Sequence, residues 1–278
     1  MSVDPLEDVR PMFELRGRNF IVTGGAQGIG FAATRAICEM GGSVAVLDIQ
    51  SRPVAEFDTL AAKYGVKAVY IQTDVTKEES LNSSFQSALE QLGGSIHGLL
   101  PAAGIAIDKP FIEQTWDEYN RIHDINVRGT FFITQLATKQ MIKQGTGGSI
   151  LLVASQSAHI GLPGYRMAAY NASKGAVHML AKALAVELGP KGIRVNTISP
   201  GFVDSQMTRD VRATKTKREG DQMWLAPPMK RLSTQNDLTG AIIYLLSDAS
   251  RFTTGTDIVI TGGLHCGTID GVISWTDE

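Results

Sequence analysis

The sequence predicts an α/β fold, with a single doubly wound domain in which helices cover both faces of a seven-stranded parallel sheet. Three observations lead to this prediction. The chain has 278 residues, a length common for one α/β domain. Seven short apolar runs alternate with longer segments of helical period, and several of the runs lack polar alternation. Strands buried on both faces have that pattern, and alternation with helices implies parallel crossovers.

The predicted strands are rich in β-branched residues. In chain order they cover residues 19–24, 43–48, 67–72, 96–101, 149–155, 194–199 and 257–261. Helical segments between them include "GIGFAATRAICEMG", "SLNSSFQSALEQLG" and the long "TWDEYNRIHDINVRGTFFITQLATKQMIK". The first two end on glycine, a common helix stop.

Residues 17–263 are predicted to form the domain, between an N-terminal arm (1–16) and a polar tail (264–278) without an assigned structure. Residues 205–232 interrupt the alternation, and long excursions in compact domains are often lids. We therefore predict a substrate lid there, with a surface excursion or a subunit contact as the alternative.

Composition excludes several function classes. The net charge of −2 gives no basic field for nucleic acid or an acidic membrane. The densest basic run, 212–219, is interpreted as a solvated helix face. No apolar run approaches the ~20 residues of a membrane span, and the N-terminus lacks the apolar core of a signal peptide. These features predict a cytoplasmic protein.

The sequence predicts neither a disulfide framework nor a metal site. Its two cysteines, Cys38 and Cys266, have no paired Cys/His spacing. The five histidines are scattered, and no two of them have the helical spacing of metal ligands.

A glycine-rich turn follows the first predicted strand. Gly24, Gly28 and Gly30 lie between this strand and the next helix, where glycine lets the backbone approach a pyrophosphate at the helix N-terminus. Asp48 ends the second strand, 20 residues after Gly28, where a carboxylate can accept hydrogen bonds from ribose hydroxyls. A dinucleotide site is therefore predicted; turn geometry and packing alone are the alternative.

Two side chains suited to acid–base chemistry lie four residues apart in the segment before residue 188. Tyr170 and Lys174 share one helix face, whereas Tyr165 has Ala169 at the same offset. An isolated tyrosine has a pKa near 10, and a neighbouring ammonium stabilises the phenolate. Tyr170 is therefore the predicted acid–base group.

Three serines are close enough in sequence to assist Tyr170. We choose Ser155 because it is predicted to end the preceding strand, where its hydroxyl can hold a substrate carbonyl oxygen. Ser157 lies beyond that end, and Ser173 is expected to cap or pack.

Together, these motifs resemble those of the short-chain dehydrogenase/reductase family over about residues 17–263. The matching segments are "TGGAQGIG", "DINVRG", "VAS", "YNASK" and "SPGFVDS", in the family's order. The resemblance implies a Rossmann-type domain and hydride transfer between a nicotinamide cofactor and a ketone or secondary alcohol. Tyr170 would be the acid or base, Lys174 would bind the nicotinamide ribose, and Ser155 would polarise the substrate oxygen. Asn126 would hold a water in a proton relay to Lys174.

The resemblance also implies a set of cofactor-binding residues. These are Thr23, Gly24, Gln27, Gly28, Ile29, Gly30, Asp48, Asp74, Val75, Ala103, Gly104, Tyr170, Lys174, Pro200, Gly201, Val203 and Ser205. Helix capping is the alternative role for Asp74. "PAAG" (101–104) departs from the family's Asn-Asn-Ala-Gly, and its proline removes a backbone donor.

Asp48 favours NAD(H), because a carboxylate repels a 2′-phosphate. Gln27 lies where relatives that use NADP often carry Arg or Lys. NADP(H) remains possible, since Arg52 lies four residues beyond Asp48 and could reach a phosphate.

The substrate is predicted to contact Ser155 and four further residues: Gln156, His159, Tyr165 and Trp224. A structural role is the alternative for His159. The sequence resembles most the fungal-type branch that reduces keto-sugars or oxidises polyols, although related sequences act on ketones of secondary metabolism.

Two other function classes are compatible with this fold: a non-catalytic NAD(P)-binding sensor or scaffold, and a non-redox isomerase or cyclase. The complete Ser/Tyr/Lys/Asn set favours catalysis over both. A homodimer or homotetramer is predicted from apolar residues on the helices at 130–141 and 176–188. These residues are Phe131, Phe132, Leu136, Val177, Leu180 and Leu184.

Overall fold

The structure is a computed structural model that describes residues 8–267. The first seven residues of the predicted arm and residues 268–278 of the predicted tail lie outside the described residues. Within residues 8–267, no helix has the length and apolar character to cross a membrane.

Seven parallel strands form one sheet, as predicted, in the order β3-β2-β1-β4-β5-β6-β7. The strands are β1 (Asn19–Thr23), β2 (Ser43–Asp48), β3 (Ala68–Gln72), β4 (Gly98–Pro101), β5 (Gly148–Val153), β6 (Ile193–Pro200) and β7 (Asp257–Ile260). Their ends differ from the predicted ones by two residues at most. The chain reverses its direction across the sheet between β1 and β4, which are neighbours. Ligands of open α/β sheets bind at such a switch point, beyond the carboxyl ends of the strands.

Helices cover both faces of the sheet, which confirms the predicted fold class. They are α1 (Gly28–Glu39), α2 (Phe57–Tyr64), α3 (Glu78–Leu92), α4 (Trp116–His123), α5 (Thr130–Gln144), α6 (Ala168–Leu188), α7 (Gln206–Ala213), α8 (Lys217–Leu225) and α9 (Asn236–Leu246). Side chains of α1, α2 and α9 pack into one buried cluster, and those of α3, α5 and α6 pack into a second on the opposite face.

Successive strand residues supply the two clusters alternately. Ile21 belongs to the cluster with α3, α5 and α6, whereas the adjacent Val22 belongs to the cluster with α1 and α9; both are fully buried. Because neighbouring side chains of a strand point to opposite faces, burial on both sides requires the continuous apolar runs seen in the sequence.

The long helical segment before β5 is almost continuous. A π-helical turn, Asp124–Gly129, joins α4 to α5, and Gly145 ends α5 in the left-handed conformation. A π turn widens the hydrogen-bonding pattern locally and often occurs at functional sites. Here it contains Asn126, which is buried.

Residues 205–232 contain two helices rather than an extended loop. Ser205 caps α7 by accepting a hydrogen bond from Thr208 N–H, and Thr216 forms a capping box with Glu219 at the start of α8. The basic run 212–219 therefore covers the end of one helix and the start of another. Its interpretation as one solvated helix face was wrong, because the α8 cap interrupts the helix and the Lys215 side chain is fully buried.

Pro101 shortens the pairing between β4 and β5. Ala102 N–H donates to Thr23 O of β1, so the nitrogen of the preceding residue faces β5, where proline has no hydrogen to donate. Accordingly, β4 pairs with β5 only at Gly98 and Leu99, whereas its pairing with β1 continues to Pro101.

The described part of the N-terminal segment packs against the domain. Leu15 is fully buried, and its N–H donates to Met40 O after α1. The rings of Phe13 and Tyr244 lie 6.5 Å apart. Residues from Phe13 onward therefore contribute to the core.

Candidate active site

A cavity of about 1240 Å³ opens beyond the carboxyl ends of the central strands. Its lining includes most of the predicted cofactor residues: Gly24, Gln27, Gly28, Ile29, Gly30, Asp48, Asp74, Val75, Ala103, Gly104 and Ser205. Residues after β1, β2, β3 and β4 thus share one opening, as expected where parallel strands end at one edge of a sheet.

The glycine turn has the shape of a phosphate cradle. A Cβ on Gly24 would lie 2.5 Å from Ala103 N, and one on Gly30 would lie 2.2 Å from Gly24 O, so only glycine fits at these positions. Gly28 has φ +61° at the start of α1, and a Cβ there would meet no atom within 4 Å. Because Gly28 opens into the cavity at a helix N-terminus, the turn fits a dinucleotide pyrophosphate.

The Asp48 carboxylate is held in place by backbone donors. Its Oδ2 accepts from Ala26 N–H at 2.9 Å, and its Oδ1 accepts from Gln50 N–H at 3.0 Å. The group is 7% exposed at the edge of the cavity. Its negative charge is therefore fixed near the position where the adenosine ribose would lie.

Asp74 lines the cavity, where a cofactor residue would lie, but it is not the N-cap of helix α3. Its Oδ1 accepts from the Thr76 backbone at 2.9 Å and from the Thr76 hydroxyl at 2.7 Å, while the residue also lines the cavity. Helix α3 begins at Glu78 with Lys77 as its N-cap, so Asp74 stabilises the preceding turn rather than the helix. The Val75 side chain packs against Gly129, where an added Cβ would lie 3.0 Å from Val75 Cγ2.

Ser155 and Tyr170 meet at the carboxyl end of β5. The sequence predicted that Ser155 ends this strand. The strand ends at Val153 instead, and Ser155 lies two positions beyond it. The difference arises because Ser155 caps a short 3₁₀ turn, accepting from Ser157 N–H at 3.1 Å. Burial raises the pKa of Tyr170, and a hydrogen bond with Ser155 opposes that rise. Both side chains are under 10% exposed.

Lys174 lies one turn after Tyr170 on α6. Its Nζ donates to Val153 O at 2.8 Å and lies 5.8 Å from the centre of the Tyr170 ring. Burial lowers the pKa of Lys174 to about 8. Stabilisation of the Tyr170 phenolate by this lysine remains a prediction, since in this structure Ser155 is the group that lowers the Tyr170 pKa.

The Asn126 side chain fastens the π turn to the loop after β4. Its Oδ1 accepts from Ile105 N–H at 2.9 Å, and its Nδ2 donates to Ile105 O and to the Ser173 hydroxyl, each at 3.0 Å. Ser173 in turn donates to Tyr170 O at 2.7 Å, which agrees with the packing role expected for it. A Cβ on Gly104 would lie 3.3 Å from Asn126 Oδ1 and 3.7 Å from Lys174 Nζ, so these groups are neighbours.

The predicted cofactor residues in and after β1 and β6, other than those named above, are not part of the cavity lining. Thr23 is buried, and its Oγ1 accepts from Ala103 N–H at 3.4 Å. Pro200 ends β6, and a Cβ on Gly201 would lie 2.9 Å from Thr261 Cα. Val203 is buried and pairs with Ser233.

The four further substrate candidates lie in different places. Gln156 is buried beside Gly201. Tyr165 contacts the predicted lid, where its hydroxyl donates to Glu219 O at 3.2 Å. Trp224 stacks against Arg212, whose Cζ lies 4.3 Å from the ring centre, and lines a separate cavity of about 460 Å³. His159 faces the edge strand β7, where its Nε2 lies 2.6 Å from Asp257 Oδ2.

An ionic cluster that the sequence did not suggest connects residues 205–232, the predicted lid, to the rest of the domain. Lys215 forms an ion pair with Asp108, both side chains fully buried, and also donates to Gly164 O at 2.6 Å. Arg166 donates to the same carboxylate at 3.2 Å, and the Tyr165 ring centre lies 4.7 Å from Lys215 Nζ. The acid and the lysine are 107 positions apart, so no local pattern could have indicated the pair.

Comparisons with known proteins agree with this architecture. A sequence profile described as enoyl-(acyl carrier protein) reductase matches residues 24–265. The chain is 35% identical over 254 residues to the sorbose reductase sou1 of Schizosaccharomyces pombe, covering 91% of this chain and 97% of that protein.

Solved structures show the same similarity. A crystal structure of a short-chain type dehydrogenase/reductase from Mycobacterium marinum matches with a TM-score of 0.87 and 35% identity, covering 94% of this chain and 100% of that one. The NADPH-dependent 3-quinuclidinone reductase of Rhodotorula rubra matches with a TM-score of 0.85 and 31% identity, over 95% and 97% of the two chains.

Proposed function

The chain belongs to the short-chain dehydrogenase/reductase family, and we propose that it reduces a ketone, or oxidises the corresponding secondary alcohol, with a nicotinamide cofactor. The observation that carries the proposal is the meeting of Ser155, Tyr170 and Lys174 beside the glycine-cradled cavity. The fold, rather than the local sequence, brings the serine close to the tyrosine hydroxyl, so both groups could bind one substrate oxygen.

The proposed roles follow from the chemistry of each group. The bound nicotinamide would supply or accept the hydride. Ser155 would hold the carbonyl oxygen by donating a hydrogen bond, and Tyr170 would give that oxygen its proton in reduction or remove it in oxidation. Lys174 would favour the phenolate whenever its ammonium is charged.

Asn126 would act by position. Both hydrogens of its amide nitrogen are donated, to Ile105 O and to the Ser173 hydroxyl, so its side chain cannot donate to a relay water without losing one of these bonds. Its backbone carbonyl lies within the π turn, where the wider hydrogen-bonding pattern can leave a carbonyl available. The proposed relay water would bind to this backbone carbonyl or to the second lone pair of Asn126 Oδ1, which also accepts from Ile105 N–H.

We infer a small polar ketone or polyol as the substrate class, with keto-sugars as the first candidates. The similarity to a sorbose reductase supports this choice, whereas the similarity to a quinuclidinone reductase supports a bulkier ketone. The test is a panel containing both classes, assayed in both directions by nicotinamide absorbance. Turnover that requires Tyr170 is expected; silence across the panel with bound cofactor would instead support a sensor or a non-redox enzyme.

NAD(H) is the proposed preferred cofactor, although the similar quinuclidinone reductase is NADPH-dependent. The support comes from the residues around the predicted ribose position. The fixed Asp48 carboxylate lines the cavity, whereas Arg52 is exposed and does not belong to the lining, which includes Gln50 and Val54 but none of the residues between them.

The cofactor preference predicts the effect of one substitution. Asp48→Ala should raise kcat/KM for NADPH relative to NADH, because it removes the charge that repels a 2′-phosphate. Steady-state kinetics with both cofactors measures the ratio, and Asp58→Ala on the first turn of α2 is the charge-matched control. A wild-type enzyme that already prefers NADPH strongly would contradict the proposal.

A homo-oligomer is the proposed assembly. The supporting residues differ in part from the predicted ones, because Val177 is buried and Leu136, Leu180 and Leu184 pack partly against the core. Phe131 and Phe132 are 43% and 46% exposed on α5, while Met179 and Val186 are 59% and 82% exposed on α6.

A further inference from the structure

Two histidines and an aspartate meet at the open edge of the sheet, away from the glycine cradle. His159 follows the 3₁₀ turn after β5, His178 lies on α6, and Asp257 begins the edge strand β7. One ligand atom from each lies within 4.8 Å of the other two, and within residues 8–267 this is the one such group of His, Cys, Asp or Glu.

The Asp257 carboxylate is oriented by two buried hydroxyls of β6. Thr197 donates to Oδ1 and Ser199 donates to Oδ2, each at 2.8 Å. His159 Nε2 lies 2.6 Å from the same Oδ2. Metal-binding carboxylates and histidines are commonly held by such outer hydrogen bonds, which fix the direction of each donor atom.

His178 directs a buried nitrogen at this carboxylate without completing a hydrogen bond. Its Nδ1 lies 3.6 Å from Asp257 Oδ2, and the atom is buried with no hydrogen-bond partner. Burial is the largest influence on the His178 imidazole and lowers its pKa; the charge of Asp257 raises it, and those of Lys182 and His159 lower it. The unpartnered Nδ1, directed at the carboxylate, is available to a ligand.

We propose that His159, His178 and Asp257 bind one divalent transition-metal ion, with zinc as the ion that fits best. Two imidazoles and a carboxylate are a ligand set that zinc takes with a fourth position for water. Alkaline-earth ions are less suitable, because they favour oxygen ligands. Zinc–ligand distances of about 2.0–2.2 Å place two tetrahedral ligand atoms about 3.4 Å apart, so His159 Nε2 and Asp257 Oδ2, which lie 2.6 Å apart here, would separate and exchange their hydrogen bond for bonds to the ion.

The ion would fasten the segment between Ser155 and Tyr170 to the edge of the sheet. His159 lies four residues after Ser155, whereas His178 and Asp257 belong to regular elements on the other side of the ion. The proposed site therefore stabilises the position of this segment and takes no part in hydride transfer. The proposal does not depend on the function proposed above.

The test is a cobalt titration of the full chain after treatment with a chelator, because Co²⁺ replaces zinc and has visible d–d bands. One Co²⁺ per chain with the intense absorption of a low-coordinate site is expected, followed by its displacement by Zn²⁺. His159→Gln and His178→Gln should each weaken binding by at least about tenfold. His123→Gln, which changes a histidine stacked on Tyr119, is the matched control.

A second possible metal contact must be removed to interpret the titration. Cys266 Sγ lies 3.5 Å from His265 Nε2 near the end of the described residues, so all variants should be made in a Cys266→Ser background. The site is expected to survive this change. Absence of cobalt bands in this background, or bands that persist in both histidine variants, would show that the three side chains form only a hydrogen-bonded network.

Thermal unfolding gives a second measurement that does not require the variants to bind metal. A ligand that binds the folded chain raises Tm, so Zn²⁺ should raise Tm of the Cys266→Ser protein and of its His123→Gln variant. It should leave Tm of the His159→Gln and His178→Gln variants unchanged once each is shown to fold by circular dichroism. Equal zinc effects on all four proteins would overturn the proposal.

Discussion

Burial acts in opposite directions on the protonation of the two predicted catalytic side chains of α6. It raises the pKa of Tyr170 and lowers that of Lys174 to about 8. Both shifts favour neutral groups, so the chain holds a protonated phenol beside a lysine that deprotonates easily. Such neutral forms suit the delivery of a proton to a carbonyl oxygen; oxidation requires the phenolate.

Tyr170→Phe is expected to reduce turnover by at least about 10²-fold, the lower range for loss of general acid–base catalysis. The substitution removes only the hydroxyl, so cofactor binding and Tm should change little. Tyr64→Phe is the matched control, because it removes a hydroxyl that donates to Glu39 Oε1 on the surface at the end of α2. Steady-state kinetics of both variants tests the role, and near-normal turnover of Tyr170→Phe would refute it.

Lys174→Met is expected to abolish turnover while stabilising the folded chain. A fall from the ordinary 10.5 to about 8 corresponds to ~3 kcal/mol of unfavourable charge burial. Loss of the hydrogen bond between this charged donor and Val153 O offsets roughly 2 kcal/mol of that gain. The free energy of unfolding at pH 7 should therefore rise by about 1 kcal/mol.

The pH dependence of folding stability distinguishes the removal of a buried charge from better packing of the methionine side chain in Lys174→Met. The folded lysine loses its proton near pH 8 and the unfolded one near pH 10.5, so the unfolded state holds more protons in between. Stability of the wild type should therefore rise with pH across that interval relative to Lys174→Met. Urea unfolding of both proteins at several pH values measures this difference in stability. Lys182→Met, at an exposed position of the same helix, should show no such difference.

At the scale of elements, residues 205–232, the predicted lid, contain two helices and are connected to the rest of the domain through a buried ion pair. Lys215, between α7 and α8, contacts Asp108 after β4 and Gly164 before α6. The sequence predicted an excursion here from its length and mixed composition. It could not reveal the pairing, because Asp108 shows no local pattern that distinguishes it from a surface acid.

Lys215→Met should destabilise the chain by about 3 kcal/mol, since it leaves a buried carboxylate with only Arg166 as its charged partner. It should also raise KM and expose residues 205–232 to proteolysis. Lys217→Met is the control, because that side chain is 91% exposed and its pair with Asp221 is a surface one. Similar behaviour of the two variants, measured by urea unfolding and limited proteolysis, would show that the Lys215–Asp108 pair does not hold residues 205–232 against the domain.

For the whole molecule, the exposed apolar side chains of α5 and α6 lie on one side of the sheet, since the buried sides of these helices supply the same core cluster. Large exposed apolar residues on soluble domains often mark interfaces. The cytoplasmic location and the homotetrameric state remain predictions from the sequence.

Val186→Glu is expected to convert an oligomer into smaller species. A charge at this 82% exposed position is harmless in a monomer but costly if a second chain covers it. Light scattering after size-exclusion chromatography measures the mass. Val9→Glu, at a 59% exposed residue of the N-terminal segment, should leave the mass unchanged. A monomeric wild-type protein would contradict the predicted assembly.

The sequence alone determined the seven strands, the glycine cradle and the Tyr170–Lys174 pair. These features depend on neighbours within about one helical turn or one strand, where periodicity and backbone freedom follow from residue type. Only the tertiary structure decided that Asn126 binds Ile105, that Lys215 pairs with Asp108, and that His159 faces Asp257, 98 positions away. Sheet order brings these distant segments together. The histidines are scattered in the sequence, and their spacing therefore predicted no metal site. His159 and His178 form a candidate metal site with Asp257 only in the folded chain.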